Sequence, residues 1–212
     1  MAEIYPKIPG PFKREQEKPF LLTDTWSSPE LKYLADNNWV WTEKIDGTNV
    51  RIIWDGYNIT FGGRTDKAQM PKTLTATLEQ LFPDGADTVF EQLWGDTPAV
   101  LFGEGYGPGI QKGGWYRDNV GFALFDVKVG DWWLSQDDVA DVAKTWNLET
   151  VPYVFTDTVH EAIYQIQLGH RSYYDDSRLA EGMVGVPTVP LFGKRGNRIM
   201  VKVKAVDFGP EA

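Results

Sequence analysis

The residue most able to do chemistry is Lys44. It ends the apolar run Trp39-Val40-Trp41-Thr42-Glu43-Lys44 and precedes Ile45-Asp46-Gly47-Thr48-Asn49. A lysine at the end of a strand, followed at once by a turn, holds its amine at the base of a cleft. An amine is a nucleophile only when neutral, which requires desolvation or neighbouring cations. Gly47 lets the backbone turn tightly beside a bound phosphate. The same residues also read as a charged strand end leading into a hairpin, and the short pattern alone favours that reading. A second set lies further on. Lys202 and Lys204 alternate with Val201, Val203 and Ala205, so in a strand they share one face. That face either gathers anionic charge or is the solvent side of an edge strand, where lysine is common. Glu181 stands just before the apolar Met183-Val184-Gly185-Val186, and Glu104 ends the apolar run from Ala99. Each acid also reads as a strand-end residue bonded to loop amides.

The elements that must position these groups follow from periodicity and turn residues. Ser28 caps a helix from Pro29 through Asn37. Strands are expected over 39–44, 49–54 and 57–61, the last two joined by the Asp55-Gly56 turn. A helix is expected over 72–82, strands over 99–104 and 120–129, and a glycine-rich loop over 103–114. Ser135 caps a helix through Trp146, and Asp157 caps another through Leu168. Strands over 181–186 and 198–206 close the chain. Strands dominate with helices outside them, so the class is α+β with largely antiparallel sheets.

The chain has 212 residues, ordinary apolar and charged fractions of 42% and 24%, and 9 Trp, 9 Tyr and 11 Phe, enough aromatics for a core and a pocket lining. With no Cys and only His160 and His170, thiolate chemistry and a multi-histidine site are excluded. A metal would take oxygen ligands, which suits magnesium or manganese. The formal net charge of −9 argues against a polyanion partner, but its distribution is uneven. Asp131, Asp137, Asp138, Asp141, Glu149, Asp157 and Glu161 stand against Lys144 alone, whereas Lys194, Arg195, Arg198, Lys202 and Lys204 face only Asp207 and Glu211. An acidic back with a basic cleft fits both facts. The opening Met1-Ala2-Glu3-Ile4-Tyr5 lacks a basic start and an apolar run, and no stretch is long and apolar enough to cross a bilayer. The expected location is cytoplasmic, in the host cytoplasm if the chain is phage-encoded, with no membrane partner.

Five segments in order resemble the motifs of the covalent nucleotidyltransferases, the superfamily of ligases and mRNA capping enzymes. Lys44-Ile45-Asp46-Gly47-Thr48-Asn49 is similar to motif I, and Leu101-Phe102-Gly103-Glu104-Gly105 to motif III. Val120-Gly121-Phe122-Ala123-Leu124-Phe125-Asp126 is similar to motif IIIa, Glu181-Gly182-Met183-Val184 to motif IV, and Val201-Lys202-Val203-Lys204 to motif V. Within that superfamily the chain most resembles RNA ligases of the phage and RNA-editing kind, which seal breaks held in duplex. Glu43 before Lys44, Gly105-Tyr106-Gly107-Pro108-Gly109-Ile110-Gln111-Lys112, and the early Tyr5-Pro6-Lys7-Ile8-Pro9 carry that likeness. Asp46 departs from it, since many of these ligases have His there.

The resemblance implies a nucleotidyltransferase fold with sheets flanked by helices around a nucleotide cleft. It implies one adenylation domain over residues 1–212, with no C-terminal oligonucleotide-binding domain. Lys44 would take AMP from ATP and pass it to a 5′-phosphate end, which a 3′-hydroxyl then attacks. Lys202 and Lys204 would neutralise the α-phosphate. Glu181 would hold Mg2+ or Mn2+, with Asp46 and Glu104 in the same shell, and Glu104 also reaching the ribose. Glu43 and Asn49 would border the nucleotide, and Phe125, with Phe122 as the alternative, would stack on adenine. Arg64 would bind the 5′-phosphate, with Arg51 a weaker candidate. Lys112 and Arg117 would touch the polymer or remain surface charges. The expected partners are RNA ends and an accessory protein that helps grip them. Other readings are a minimal DNA ligase, a capping-type guanylyltransferase, and a nucleotide-binding module without turnover.

Overall fold

A computed structural model describes residues 3–15, 17, 22–194 and 196–210; Met1, Ala2, Arg195 and Glu211 lie outside them. In chain order the first elements are β1 (Phe12–Arg14), β2 (Leu22–Trp26), α1 (Pro29–Leu34), β3 (Trp39–Glu43), β4 (Thr48–Trp54) and β5 (Ile59–Gly63). Then come α2 (Lys72–Leu81), α3 (Ala86–Trp94), β6 (Ala99–Tyr106), β7 (Gly121–Val129), β8 (Trp132–Trp133) and α4 (Gln136–Thr145). The chain continues through β9 (Glu149–Thr150), β10 (Tyr153–Asp157), α5 (Val159–Gln167), β11 (Gly182–Pro187), β12 (Val201–Lys204) and α6 (Ala205–Phe208). This is an α+β chain with sheets that are antiparallel except where β9 joins β7. It divides into two compact units, residues 1–5 with 46–151 and residues 6–45 with 152–212.

In the first unit the strands run in the order β5-β4-β6-β7-β8. Alternation on β4 sends Val50, Ile52 and Trp54 to one face, where they meet Leu101, Phe122, Leu124 and Val127. That face is covered by Leu74 and Leu78 of α2, Phe90 of α3, and Val139 and Val142 of α4. Residues at i and i+4 lie on one side of a helix, which is why Leu74 and Leu78 are both buried. Ser135 caps α4 as expected, with Asp138 completing a capping box. The opposite face of the sheet presents Asn49 and Arg51 beside Glu104 and Phe102. The segment Glu3–Tyr5 lies on this face. Tyr5 packs against Phe102, Phe125 and Trp133, and its hydroxyl donates to Asp126 Oδ2 at 2.9 Å.

The second unit has the strand order β10-β3-β11-β12, with β1 and β2 paired separately. Trp39, Trp41, Met183, Val201 and Val203 are buried on one face against Leu31 and Leu34 of α1 and Val159, Ala162 and Ile166 of α5. The opposite face carries Thr42, Val184, Lys202 and Lys204 through the registers Val184↔Thr42, Val184↔Lys202 and Gly182↔Lys204.

Several boundaries differ from the sequence reading. Helix α1 ends at Leu34, three residues before Asn37. Asp157 belongs to β10, and the cap of α5 is Thr158, whose hydroxyl accepts from Glu161 N. The last strand stops at Lys204 because the chain turns into α6, so Val206 is helical. The sequence carries no expectation of β1, β2, α3, β8, β9, β10 or α6.

Candidate active site

Each chemically capable side chain of the second unit is fixed by backbone pairing. Lys44 N donates to Gly182 O at 3.0 Å, and Ala205 N to Glu181 O at 2.8 Å, so the ends of β3, β11 and β12 are fastened together. Their side chains then meet. Lys44 Nζ lies 2.7 Å from Glu181 Oε2, and Lys204 Nζ lies 3.3 Å from Glu181 Oε1. Lys202 makes no ion pair among the described residues. Burial, then the charges of Lys44 and Lys204, lower the pKa of its amine, Glu181 opposes this, and Lys7 adds to it. The Lys7 segment reaches this strand because Lys202 N donates to Pro9 O at 2.9 Å. Lys44 and Lys204 thus share one carboxylate, and Lys202 lies within range of both their charges and that of Lys7, an excess of positive charge that favours a polyanion.

Glu43 is next to Lys44 in the chain but is only 1% exposed, on the tryptophan side of the strand. Ser172 Oγ donates to its Oε1 at 2.6 Å and Tyr173 N to its Oε2 at 2.7 Å. Desolvation raises its pKa, and these two bonds partly offset the rise. Glu43 therefore braces the loop after α5, and both its oxygens are engaged there.

The first unit holds the remaining candidates. Asn49 and Glu104 are opposite one another on β4 and β6. Asn49 Oδ1 is buried with no hydrogen-bond partner among the described residues, a polar atom in need of a donor. A Cβ on Gly47 would lie 2.4 Å from Gly105 O and 2.8 Å from Glu104 Cγ, so glycine is required there by the approach of β6. Asp46 N donates to Tyr116 Oη at 3.0 Å. Between Phe102 and Gly103 the partner on β7 jumps from Asp126 to Leu124, leaving Phe125 as the extra residue of a bulge. Phe125 is half-buried against Tyr5, whereas Phe122 lies in the core. Arg64 and Lys112 are exposed. Arg117 donates to Glu149 Oε2 at 2.8 Å and lies over the Tyr106 ring, and Tyr106 Oη also donates to Glu149. Burial would lower the pKa of Arg117, but Tyr106 and Glu149 more than offset it and raise it.

Thus Lys44, Glu181, Lys202 and Lys204 come together in one unit, and Asn49 and Glu104 in the other. Asp46, Phe125, Arg64 and Arg51 also belong to the first unit. Among the described residues no three His, Asp or Glu side chains cluster as a metal cage. No local pattern in the sequence marks Ser172, Tyr116 or Asp66, and none assigns Lys7 a role. Only Lys7 left a trace there, within Tyr5-Pro6-Lys7-Ile8-Pro9.

Solved structures share this fold. A lysine-to-alanine variant of the Naegleria gruberi RNA ligase with ATP and Mn matches with a TM-score of 0.64 and 15% identity, covering 97% of this chain and 61% of that one. The same enzyme with PPi matches with a TM-score of 0.64 and 17% identity, over 97% and 59% of the two chains. A lysine-to-methionine variant with AMP and Mn gives 0.64 and 13%, over 94% and 59%. The chain thus spans about three fifths of the length of those proteins. The family model for RNA ligase matches residues 37–204, a span that runs from just before β3, which leads into Lys44, to the end of the strand bearing Lys202 and Lys204, and the chain belongs to the RNA ligase family.

Proposed function

We propose that the chain is an ATP-dependent RNA ligase that joins 3′-hydroxyl and 5′-phosphate ends through a lysyl-AMP intermediate. The observation that carries this reading is the cluster of Lys44, Lys202 and Lys204 around Glu181. The amine of Lys44, once it has lost a proton to solvent, attacks the α-phosphorus of ATP. A phosphorus–nitrogen bond forms and pyrophosphate leaves. Lys202 and Lys204 hold the non-bridging oxygens as charge spreads over them, so catalysis is positioning and electrostatics. In the resting chain Glu181 offers its two oxygens to two ammonium groups, a position already suited to positive charge. Glu181 would hold Mg2+ or Mn2+ in place of those ammonium groups, since such an ion needs few carboxylates. When bound it would supply further neutralisation of the phosphate. Asn49, whose Oδ1 lacks a donor, and Glu104 beside it would hold the nucleotide. Phe125 would offer a stacking face, and Arg64 the contact to the acceptor 5′-phosphate. RNA ends held in duplex are the proposed substrate.

The test is incubation with α-labelled ATP or GTP and magnesium. Label from ATP is expected on the protein and absent in Lys44→Ala. Label from GTP alone would indicate capping chemistry, and none from either would leave only a nucleotide-binding module. Offering the labelled protein nicked RNA and nicked DNA duplexes then ranks the polymers.

A further inference from the structure

The second face of the first unit's sheet carries a cation that the chemistry above does not use. Arg51 on β4 is 1% exposed. Its Nε donates to Gly63 O at 2.7 Å, its Nη2 to Asp66 Oδ1 at 2.8 Å, and its Nη1 to Glu3 O at 3.3 Å. A buried guanidinium is costly unless its donors are satisfied, and these three acceptors satisfy it. Gly62 is the register partner of Arg51, and a Cβ there would lie 3.0 Å from Nη2. Two of the anchors, Gly63 and Asp66, bracket only Arg64 and Thr65. The loop also closes on itself, since Ala68 N donates to Thr65 O at 3.0 Å. Arg64 is exposed at the centre of this pinned segment.

We infer that Arg51 is a positioning residue that holds Arg64 ready for the 5′-phosphate of the acceptor end, acting through Gly63 and Asp66 without touching the polymer. The inference rests on the ligase reading, in which Arg64 is the phosphate contact. A guanidinium fork with fixed donor directions can hold a carbonyl and a carboxylate at once, which a lysine ammonium at this site cannot reproduce. Two residues between two anchors have little freedom left to lose when the end binds, which is how preorganisation raises affinity.

The test uses the whole chain. AMP transfer from adenylylated protein to a 5′-phosphate end is measured against end concentration and divided by the rate of self-adenylylation. In Arg51→Met the ratio is expected to fall about tenfold, through a higher half-saturating concentration of the end, equivalent to about 1.4 kcal/mol of binding. Asp66→Asn, at a side chain that is 55% exposed, gives a smaller fall in the same direction and carries the test if Arg51→Met does not fold. Arg64→Ala loses as much, and adding Arg51→Met to it costs nothing further, as coupled residues behave. Transfer at the wild-type ratio in Arg51→Met and Asp66→Asn would overturn the inference. So would losses that multiply, or self-adenylylation falling in step with transfer. A wild-type chain that takes no label from ATP would overturn the ligase reading itself, which is a separate result.

Discussion

Lys202 bears a charge that the fold disfavours. Its pKa lies below the ordinary lysine value because of burial and the neighbouring lysines. Between the lowered value and the ordinary one, the unfolded chain binds more protons than the folded one. Stability therefore rises as pH climbs through that window, and at neutral pH the charge is a cost. Lys202→Met is expected to raise the melting temperature at neutral pH and flatten the alkaline rise, while lowering the self-adenylylation rate about a hundredfold. Calorimetry across pH and a labelling time course check the two halves. Ser172→Ala acts in the other direction. It leaves Glu43 Oε1 buried without its donor and is expected to cost about 1–3 kcal/mol in denaturant melts. The lysines were legible in the sequence because alternation with Val201 and Val203 puts them on one face whatever the tertiary fold. Ser172 was not, because a serine more than 120 positions from Glu43 leaves no local pattern.

At the scale of elements, the strands and helices nearest the chemistry were readable, and the misses have physical causes. The sequence puts the cap of α5 one residue early because Asp157 and Thr158 are both good caps. The backbone settles it, with Thr158 extended and its hydroxyl accepting from Glu161 N. Thr158→Ala is expected to cost about 1 kcal/mol in denaturant melts, and Asp157→Ala less. β7 reads as one alternating strand, but its bulge changes phase. Leu124 and Val127 face the same core although they are three apart. Period-two reasoning cannot see an extra residue, so it could name Phe125 only by resemblance. β8 and β9 are two-residue strands, too short to give a period, whereas α3 is as long as α5 but begins after Gly85 with no capping side chain to mark its start.

For the molecule as a whole, a net charge of −9 leaves only local cationic groups to hold a polyanion. Sealing is expected to fall steeply when salt is raised from about 50 to about 200 mM, measured as the initial rate on a nicked duplex. A flat response would mean that phosphates are not the main contact. The crowd of lysines about Glu181 has a further consequence for the chain at rest. Like charges held close by a rigid scaffold are relieved when something negative settles among them, whatever base it carries. Inorganic pyrophosphate should therefore linger after the first chemical event, competing with the next triphosphate and driving the reaction backwards. The adenylylated amine is itself what that pyrophosphate attacks, so the phosphorus–nitrogen bond persists once pyrophosphate has been removed. A preparation purified from a nucleotide-rich cell is accordingly expected to arrive partly charged with AMP, and mass spectrometry before any incubation would see it.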